Sequence, residues 1–600
     1  MNIYNSYFKN DEKTIAEKID SIDLIENVNE YTDKIHILFK NINIIDDNNK
    51  IIVNKEFFNE IKLNGFFKSI TIFGDNIYNK LLNNPTNNLN ILKQRQKNIQ
   101  YLLNYKNKQD LSIRLHNIKE IENKILWFWN EETEDLRSLY EIVYFYVPYL
   151  EKYINKSELI LNGVHLYKIF LSPLSIFLLP LLSFIIPLIF FYIFNIKISF
   201  GLLKNTFFFV IKNLISNILP NTTGKIKYIS IFIASIYIFL YLQSTYNLFK
   251  SAYDTNKIIN LFHSKLNYIA LFIRNINELI SLLPNMNILL KDKITNSLNY
   301  FTTLFQHNIF NDEPKLVSNK GKILVVYKQF LDNKDKLIDL LYYVGQIDVY
   351  YSLTSIMNNQ NDKYCFTKYL SNKNKPIINT IKLWHPLVDK NKVISNSINV
   401  KNNLLITGPN KAGKSTFIKS VAINILLSQT FGIATAKKFV ITPFYILSSY
   451  LNIEDSIGRE SLFEAEMHRA KKYIELLKTN KDKLAFIVID EIFTSTNYVE
   501  GYSASYAILK HISNYENNLA IVTTHYTSLS KLETNKGNIK NYKFIIEYKE
   551  DGTISYSYKI HKGISKQYIA LELMKNDNFD TEILDDAIEI KNNISKNMFD

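Results

Sequence analysis

Three observations in this 600-residue chain predict an α/β domain with a parallel sheet at the C-terminal end. Before it lies a mainly α-helical region interrupted by an apolar hairpin. The first is a short apolar run at 404–407 that enters a glycine-bounded loop and is followed by helix-period apolar residues (Phe417, Ile418, Val421, Ile425, Leu426). The second is a pair of further apolar runs, 484–489 and 519–522, each ending in polar residues, Asp490-Glu491 and Thr523-Thr524-His525. The third is a pair of segments, 169–196 and 228–249, that hold 28 and 22 residues without one charged side chain.

The loop after 404–407 reads Gly408-Pro-Asn-Lys-Ala-Gly-Lys-Ser415, which fits the phosphate-cradling pattern G-x-x-x-x-G-K-[ST] in full. Strand, loop and helix (416–429, with Gly432 as a stop) supply the context that the pattern needs, an α/β P-loop NTPase domain. Backbone N–H groups of such a loop and the N-terminus of the following helix attract the β- and γ-phosphates. The candidate ATP-binding residues are therefore Gly408, Pro409, Asn410, Lys411, Ala412, Gly413, Lys414, Ser415 and Thr416. Lys414 adds a point charge, and the Ser415 hydroxyl is a ligand for Mg²⁺. The apolar run ending in Asp490-Glu491 delivers two carboxylates to a strand end. Asp490 is suited to hold Mg²⁺ through water, and Glu491 to orient or deprotonate the attacking water. His525 ends the next strand as a sensor or water-orienting group; the plainer reading is a surface histidine. Ser461-Leu-Phe-Glu464 has the form of a capping box opening a helix with the stripe Phe463, Met467, Ala470, Ile474, Leu477. A helix N-terminus of this kind also suits presentation of Ser461 to a phosphate across a dimer.

Upstream, residues 1–85 are mixed: 35–39, 51–53 and 66–73 suit strand or helix equally. Helical spacing begins at Asn90 and continues over about 110–128 and 136–154. The uncharged segments follow, bounded by Lys168 and Lys197 and by Lys227 and Lys250. A bilayer core of about 30 Å takes about 20 helical residues, so each is long enough to span. Pro173, Pro180 and Pro187 predict a kinked first span. The competing reading is a pair of buried core helices. Between the spans, 201–219 is apolar with Lys204 and Lys212 interspersed, an interfacial helix or a poor third span. Two spans keep both chain ends on one side but leave Lys197, Lys204, Lys212, Lys225 and Lys227 facing away from the cytosol. That strains the positive-inside tendency, and a hairpin that does not fully cross is the alternative. Helical spacing returns over 251–357, and strand-like pieces over 375–399. The expected organisation is 1–85 of open fold, 86–165 helical, 166–250 membrane hairpin, 251–380 lever-like helices and 381–600 nucleotide-binding domain.

Bulk properties bound less. The net charge of +14 favours an anionic partner, nucleic acid or lipid, though the richness in Asn, Ile, Lys, Tyr and Phe is also what A/T-rich codons encode. Cys365 is the single cysteine, which excludes an internal disulfide and suits a reducing compartment. The start, Met-Asn-Ile-Tyr-Asn-Ser, has neither a basic n-region nor an apolar core, so no signal peptide is expected.

Taken together, Thr407 to Thr416, Ser461-Leu-Phe-Glu-Ala-Glu-Met467, Asp490-Glu-Ile492 and Thr524-His-Tyr526 resemble the ATPase domain of the MutS mismatch-repair family. His385-Pro386 with Asn396 upstream and Gly563-Ile-Ser-Lys-Gln567 downstream add to the likeness, which is specific over about 380–590. It is fainter over 86–130, where Asn90-Ile-Leu-Lys-Gln-Arg-Gln96 resembles the start of the MutS core helices. The resemblance implies an ATPase using ATP and Mg²⁺ and a homodimer through the ATPase domain. Asn396 would then help to hold the base, and Ser461 would face the partner's ATP. It further implies duplex DNA as a partner and a role related to mismatch repair or recombination. The hairpin 166–250 adds membrane lipid as a partner, in place of the family's DNA clamp, with the ATPase domain on the cytosolic side. The alternative output is a mechanochemical or regulatory ATPase of a membrane with no mismatch role. A transporter of the ABC type is disfavoured, because no Ser-Gly-Gly signature precedes the Asp-Glu strand. The chain departs from the family pattern at Lys411-Ala412, at Phe493-Thr494-Ser495 where the family has Gly-Arg-Gly, and in lacking a recognisable mismatch-reading domain. Phe58-Asn-Glu60 matches the bare Phe-x-Glu wedge triplet without its context and is taken as coincidence.

Overall fold

The computed structural model describes most of residues 14–176 and 225–597 and scattered positions between 189 and 212. Outside the described residues lie 1–13, 24–27, 43–50, 177–188, 213–224, 311–318, 359–362, 372–374, 452–460, 550–553 and some single positions. Pro180, Pro187, Lys197 and most of 201–219 fall there. The chain forms two compact units: one of Met1–Leu38, His116–Leu283 and Leu290–Leu341, the other of Phe39–Leu115, Pro284–Leu289 and Tyr342–Asp600. These boundaries differ from the five expected segments, since 1–85, 86–165 and 251–380 are each divided.

The second unit is built on strands β1 (Ile52–Val53), β2 (Cys365–Phe366), β3 (Lys368–Tyr369), β4 (Ile378–Leu383), β5 (Asn396–Val400), β6 (Asn403–Thr407), β7 (Ile433–Ala434), β8 (Lys438–Ile441), β9 (Ile446–Tyr450), β10 (Ala485–Asp490), β11 (Asn518–Thr523), β12 (Ile539–Tyr548) and β13 (Ile554–Lys562). The main sheet runs β1-β9-β10-β11-β6-β12-β13 and is parallel up to the antiparallel β12–β13 pair. The three apolar runs singled out in the sequence are its centre. Every residue of β6 and β11 is buried, and all of β10 but Asp490, as expected of parallel strands covered on both faces. Register sets Asp490 opposite Thr523 and Ile406 beside Thr523, so the C-terminal ends of β6, β10 and β11 meet on one edge. Ligands bind at that edge in open α/β sheets. A second sheet, β3-β8-β4-β5, and the β2–β7 pair complete the strand inventory among the described residues.

The ambiguous 51–53 proves to be an edge strand: Ile52 N–H donates to Tyr445 O at 2.8 Å and Asn54 N–H to Leu447 O at 3.1 Å. The helix Lys55–Ile61 follows it, and Glu60 there accepts from Leu451 N–H at 3.1 Å, from the Ser449 hydroxyl and from Arg469. The Phe58–Glu60 triplet is thus part of the second unit's own packing. The other two ambiguous stretches resolve as helix at 35–39, inside Val28–Lys40, and as loop running into Ile72–Leu82 at 66–73.

In the first unit, one helix of 58 residues, Lys225–Leu282, joins the second uncharged segment to the helical stretch after it without a break. At 1.5 Å per residue it is about 87 Å long. Its C-terminal half is core: Ile258, Ile259, Phe262, Leu266, Ile269, Phe272 and Ile276 are fully buried. Its N-terminal half is the reverse, with Tyr228, Phe232, Tyr237 and Phe239 between 65 and 76% exposed. The helix Glu158–Leu166 packs on the helix Lys320–Asn333; the π-turn Tyr167–Leu171 that continues it packs on the long helix, and the Tyr241 hydroxyl donates to Ile176 O at 3.0 Å. The expected helix over 136–154 is interrupted. Glu134–Val143 ends at Tyr144 in extended backbone, because Pro148 disfavours helix at Val147 and the aromatic run before it resists the α region. A short turn of helix, Glu151–Ile154, follows.

Candidate functional site

Gly408 leaves β6 at φ 157°, Lys411 stands at φ 61° and Gly413 at φ 98° just before the helix Lys414–Phe431. A Cβ on Gly413 would come within 3.0 Å of the Tyr558 ring, so only glycine fits that turn. The helix is buried along most of its length and stops at Gly432, φ 77°, whose N–H reaches Leu427 O at 3.2 Å and Ser428 O at 3.0 Å. Its C-terminal carbonyls are met by the helix Leu89–Leu103: Arg95 donates to Thr430 O at 2.5 Å, and Gln96 to Gly432 O at 2.7 Å. A cation at a helix C-terminus opposes the helix dipole favourably. The P-loop helix is therefore held at the end remote from the phosphates.

At the phosphate end, Lys414 Nζ donates to Gly408 O at 2.9 Å and Pro409 O at 3.2 Å. Burial pulls its pKa down, while Glu491 and Asp490 pull it up. Asp490 accepts from the Thr523 hydroxyl, the residue that register sets opposite it. Glu491, next along, turns to φ 60°, a left-handed conformation that costs a residue with a Cβ about 1–2 kcal/mol. That turn swings its carboxylate to His525, whose Nε2 lies 2.6 Å from Glu491 Oε1. The hydrogen bond from His525 is the chief cause of a lowered Glu491 pKa; the His525 and Lys414 charges add to it against burial. Thr524 N–H donates to Ile406 O at 3.1 Å, tying the His525 turn to the strand that feeds the loop. Lys414, Asp490, Glu491 and His525 thus lie together at this sheet edge. Ser415, one residue further into the helix, joins them by position. A hydroxyl, a carboxylate and phosphate oxygens form the sparse all-oxygen donor set that suits Mg²⁺, so Ser415 and Asp490 fit that ion.

Two cavities flank the loop. One, of about 380 Å³, lies beside Gly413 and Thr416 and is lined by His385, Val388, Ile394, Asn396, Phe417 and Tyr558. The other, of about 360 Å³, lies beside Gly408 to Asn410 and takes in Thr524, His525 and Gln567. Asn396 is at the first cavity, but its amide is engaged: Nδ2 donates to Tyr558 O at 3.0 Å and Oδ1 accepts from Ile560 N–H at 3.0 Å. It holds β13 so that the Tyr558 ring stands over Gly413, and it lines the first cavity itself. Tyr558 itself was not singled out, because no motif marks it and it reaches the loop only through the β12–β13 hairpin. Gln567 closes on that hairpin, exchanging hydrogen bonds of 3.0 Å with both backbone groups of Ile546.

Ser461 caps the helix Leu462–Thr479 with the full capping box, Glu464 N–H to Ser461 Oγ at 3.2 Å and Ser461 N–H to Glu464 Oε2 at 3.0 Å. It lines neither cavity of its own chain. The same helix reaches the Asp490-Glu491 turn elsewhere: Ser495 donates to the buried Glu466 at 2.8 Å. Phe493, where the resemblance expects glycine, keeps a left-handed backbone at φ 56°. It is buried against Phe463 at 5.3 Å, and its carbonyl accepts from the Tyr526 hydroxyl at 2.9 Å.

Residues 404–595 match the family MutS domain V. The chain is similar to the DNA mismatch repair protein MutS of Clostridium botulinum (strain Okra / Type B1), 26% identical over 330 residues, which cover 52% of this chain and 34% of the relative. It is likewise similar to the DNA mismatch repair protein MutS of Alkaliphilus oremlandii, 30% identical over 283 residues, 44% of this chain and 31% of the relative. The chain thus spans about a third of the length of these curated relatives.

Proposed function

The chain is a member of the MutS family, carrying that family's domain V at its C-terminal end, and from this premise we propose that it is a membrane-anchored, DNA-associated ATPase. The observation that carries the proposal is the cluster on one sheet edge: Lys414 in the loop, Asp490 under Thr523, and Glu491 turned onto His525. ATP is the substrate. The loop N–H groups and Lys414 take its β- and γ-phosphates, and Lys414 exchanges the Gly408 and Pro409 carbonyls for phosphate oxygens. The cavity beside Gly413 takes the base between His385 and Tyr558. Ser415 and Asp490 would hold Mg²⁺, which neutralises charge building on the transferring phosphoryl group. The hydrogen bond from His525 holds the Glu491 carboxyl below the usual carboxylate range, and with Oε1 occupied by that histidine its Oε2 is left to orient or deprotonate the attacking water.

Two of these molecules are proposed to associate through the ATPase unit, with Ser461 of one facing the ATP of the other. Met467, Tyr498 and Val499 are 41 to 67% exposed on that unit, and Ile583, Ile588 and Ile590 on the C-terminal helix 44 to 58%, apolar surface that such a contact would cover. The proposed anchor is the apolar N-terminal half of Lys225–Leu282 with the π-turn Tyr167–Leu171 before it, and the proposed side for the nucleotide-binding unit is the cytosolic one, where ATP is. Duplex DNA is the proposed partner in a process related to mismatch repair or recombination. A membrane ATPase without mismatch reading stays as the second reading, since Glu60 of the Phe-x-Glu triplet is engaged by Arg469, Ser449 and Leu451.

Glu491→Gln tests the first reading: ATP binding is expected to persist while steady turnover falls at least ~10²-fold. Wild-type-like turnover in this variant would remove Glu491 from the chemistry. Salt dependence of binding to matched and mismatched duplexes separates the two outputs, because phosphate contacts give a steep slope.

A further inference from the structure

We propose that the turn from Tyr146 to Tyr153 is an interfacial anchor, its side chains lying among the headgroups of a lipid bilayer at the level where the apolar helices leave the protein. This rests on the membrane reading above and adds a contact outside both uncharged segments. Within eight residues, Tyr146, Val147, Tyr149, Leu150 and Tyr153 are 56, 45, 96, 54 and 76% exposed. Single exposed apolar side chains are ordinary, but a run of five forms a patch that needs a partner.

The turn is also rigidly held. Phe145 N–H donates to Asn155 Oδ1 at 3.0 Å and Asn155 Nδ2 to Phe145 O at 2.8 Å, with Asn155 itself buried. Pro148 fixes one corner, and Glu151 N–H closes on Val147 O at 2.9 Å. At its tip Tyr149 sits at φ 67°, an unfavourable conformation for a residue with a Cβ, and points its ring away from the protein. A braced loop that presents aromatic rings outward is shaped for a surface.

Its location says which surface. His165 Nε2 lies 2.9 Å from Val143 O, Lys168 Nζ donates to Ile142 O at 3.2 Å, and that Nζ stands 5.9 Å from the Phe145 ring. The turn therefore adjoins Lys168, the last charge before the uncharged segment begins at Ile169. On the long helix the matching boundary is Lys250, flanked by Tyr246 and Tyr253, 65 and 68% exposed. Tyrosines interleaved with lysines at the ends of apolar helices are the composition of a membrane–water interface. The charges agree as well. Glu151 is paired with Lys328 at 3.4 Å and Glu158 with Lys322 at 3.9 Å, while Lys152 and Lys156 are exposed and available to lipid phosphates. A bilayer gripped here would fix the depth at which Lys225–Leu282 passes from lipid into the helical bundle.

The test uses the full chain with Cys365→Ser and one new cysteine, Tyr149→Cys or Leu242→Cys, carrying an environment-sensitive fluorophore. The chain is reconstituted in vesicles of phosphatidylcholine and phosphatidylglycerol. The label at 149 is expected to be quenched ~2-fold more by a spin label near the headgroup than by one deep in the acyl chain, and to be shielded from aqueous iodide. The label at 242 is expected to answer to the deep quencher. If 242 is deep and 149 is quenched freely by iodide, the anchor is overturned while the span survives. If neither label answers to a lipid quencher, the membrane reading fails and takes the anchor with it. Tyr153→Cys repeats the measurement at a second exposed site of the same turn.

Discussion

The strands β10 and β11 and the upper half of Lys225–Leu282 are about equally apolar, yet they meet opposite surroundings. Phe486 and Ile521 in the strands are fully buried, whereas Phe232 and Phe239 on the helix are each 65% exposed. The difference lies in where the backbone finds its partners. A strand satisfies its N–H and C=O groups only beside other strands, so an apolar strand in this fold is enclosed by its own sheet and the helices over it. A helix satisfies them internally and needs no protein neighbour, so an apolar helix can stand in hydrocarbon. Hydrophobicity alone does not tell these surroundings apart; the exposure of Phe232 and Phe239 is what sets this helix off from the strands.

The sharpest way to break this comparison is to charge the exposed helix. Ile236→Arg with Phe239→Arg sets two guanidinium groups near the middle of the apolar half, at about 2.5–3.5 kcal/mol each if it crosses a bilayer. Sedimentation of the full chain with vesicles is expected to be lost while the thermal transition of the ATPase unit stays unchanged. A lowered melting temperature with unaltered sedimentation would mean that protein, and not lipid, covers that face. The next effect belongs to the ATPase unit. Arg469→Leu leaves the Glu60 carboxylate, which is nearly buried, without its cation. A loss of ~3 kcal/mol is expected, part of it recovered when Glu60→Leu is added, since two apolar side chains avoid a lone buried charge. Urea unfolding followed through the ATPase unit reads both. No loss would detach the N-terminal segment from this unit.

How far the sequence was legible follows the same division. The strand, loop and helix around Gly408–Ser415 were readable because a phosphate cradle needs glycines, a lysine and a hydroxyl at fixed spacing, and Ser461 announced its cap through Glu464 three residues on. The two carboxylates at the end of β10 were readable once the loop was known. The edge strand at Ile52–Val53 was not, because two residues carry no periodicity and the pairing partner lies almost four hundred positions away at Ile446–Leu447. Tyr558 was missed for the same reason: its value to the site comes from a hairpin register and not from local pattern. The interruption at Tyr144 was hidden by the apolar spacing of 136–154, although Pro148 stood there as the signal. The continuity of Lys225–Leu282 was hidden by its change of surroundings, since an exposed apolar half and a buried amphipathic half read as two elements.

An effect that appears only as pH falls probes the cavity beside Gly413. His385 has its pKa lowered to about 4, chiefly by burial, with the Lys419 charge adding. In the unfolded chain a histidine titrates near 6.5. Between those values the unfolded state takes up the proton and the folded state resists, so stability falls as pH drops below about 6.5 and levels off below about 4. The slope is at most about 1.4 kcal/mol per pH unit for one proton. Subtracting the profile of His385→Gln isolates this histidine from the carboxylates that titrate in the same range. Superimposable profiles would place His385 in solvent and open the cavity to water.

The smallest expected change in stability decides the largest question about the site. Ser461→Ala removes the hydroxyl that accepts from Glu464 N–H, a cap worth about 1 kcal/mol. If capping is its whole role, turnover should fall only as far as the helix frays, and Ser461→Asp, which caps equally well, should restore both stability and rate. If Ser461 faces the ATP of a second copy, Ser461→Asp should restore stability and leave turnover depressed, because a carboxylate in place of a hydroxyl repels the γ-phosphate it would touch. The defect should also vanish at dilutions where the wild type is itself inactive for want of a partner. Turnover rescued by aspartate would confine Ser461 to its own helix, and the paired ATP site would need another residue to complete it.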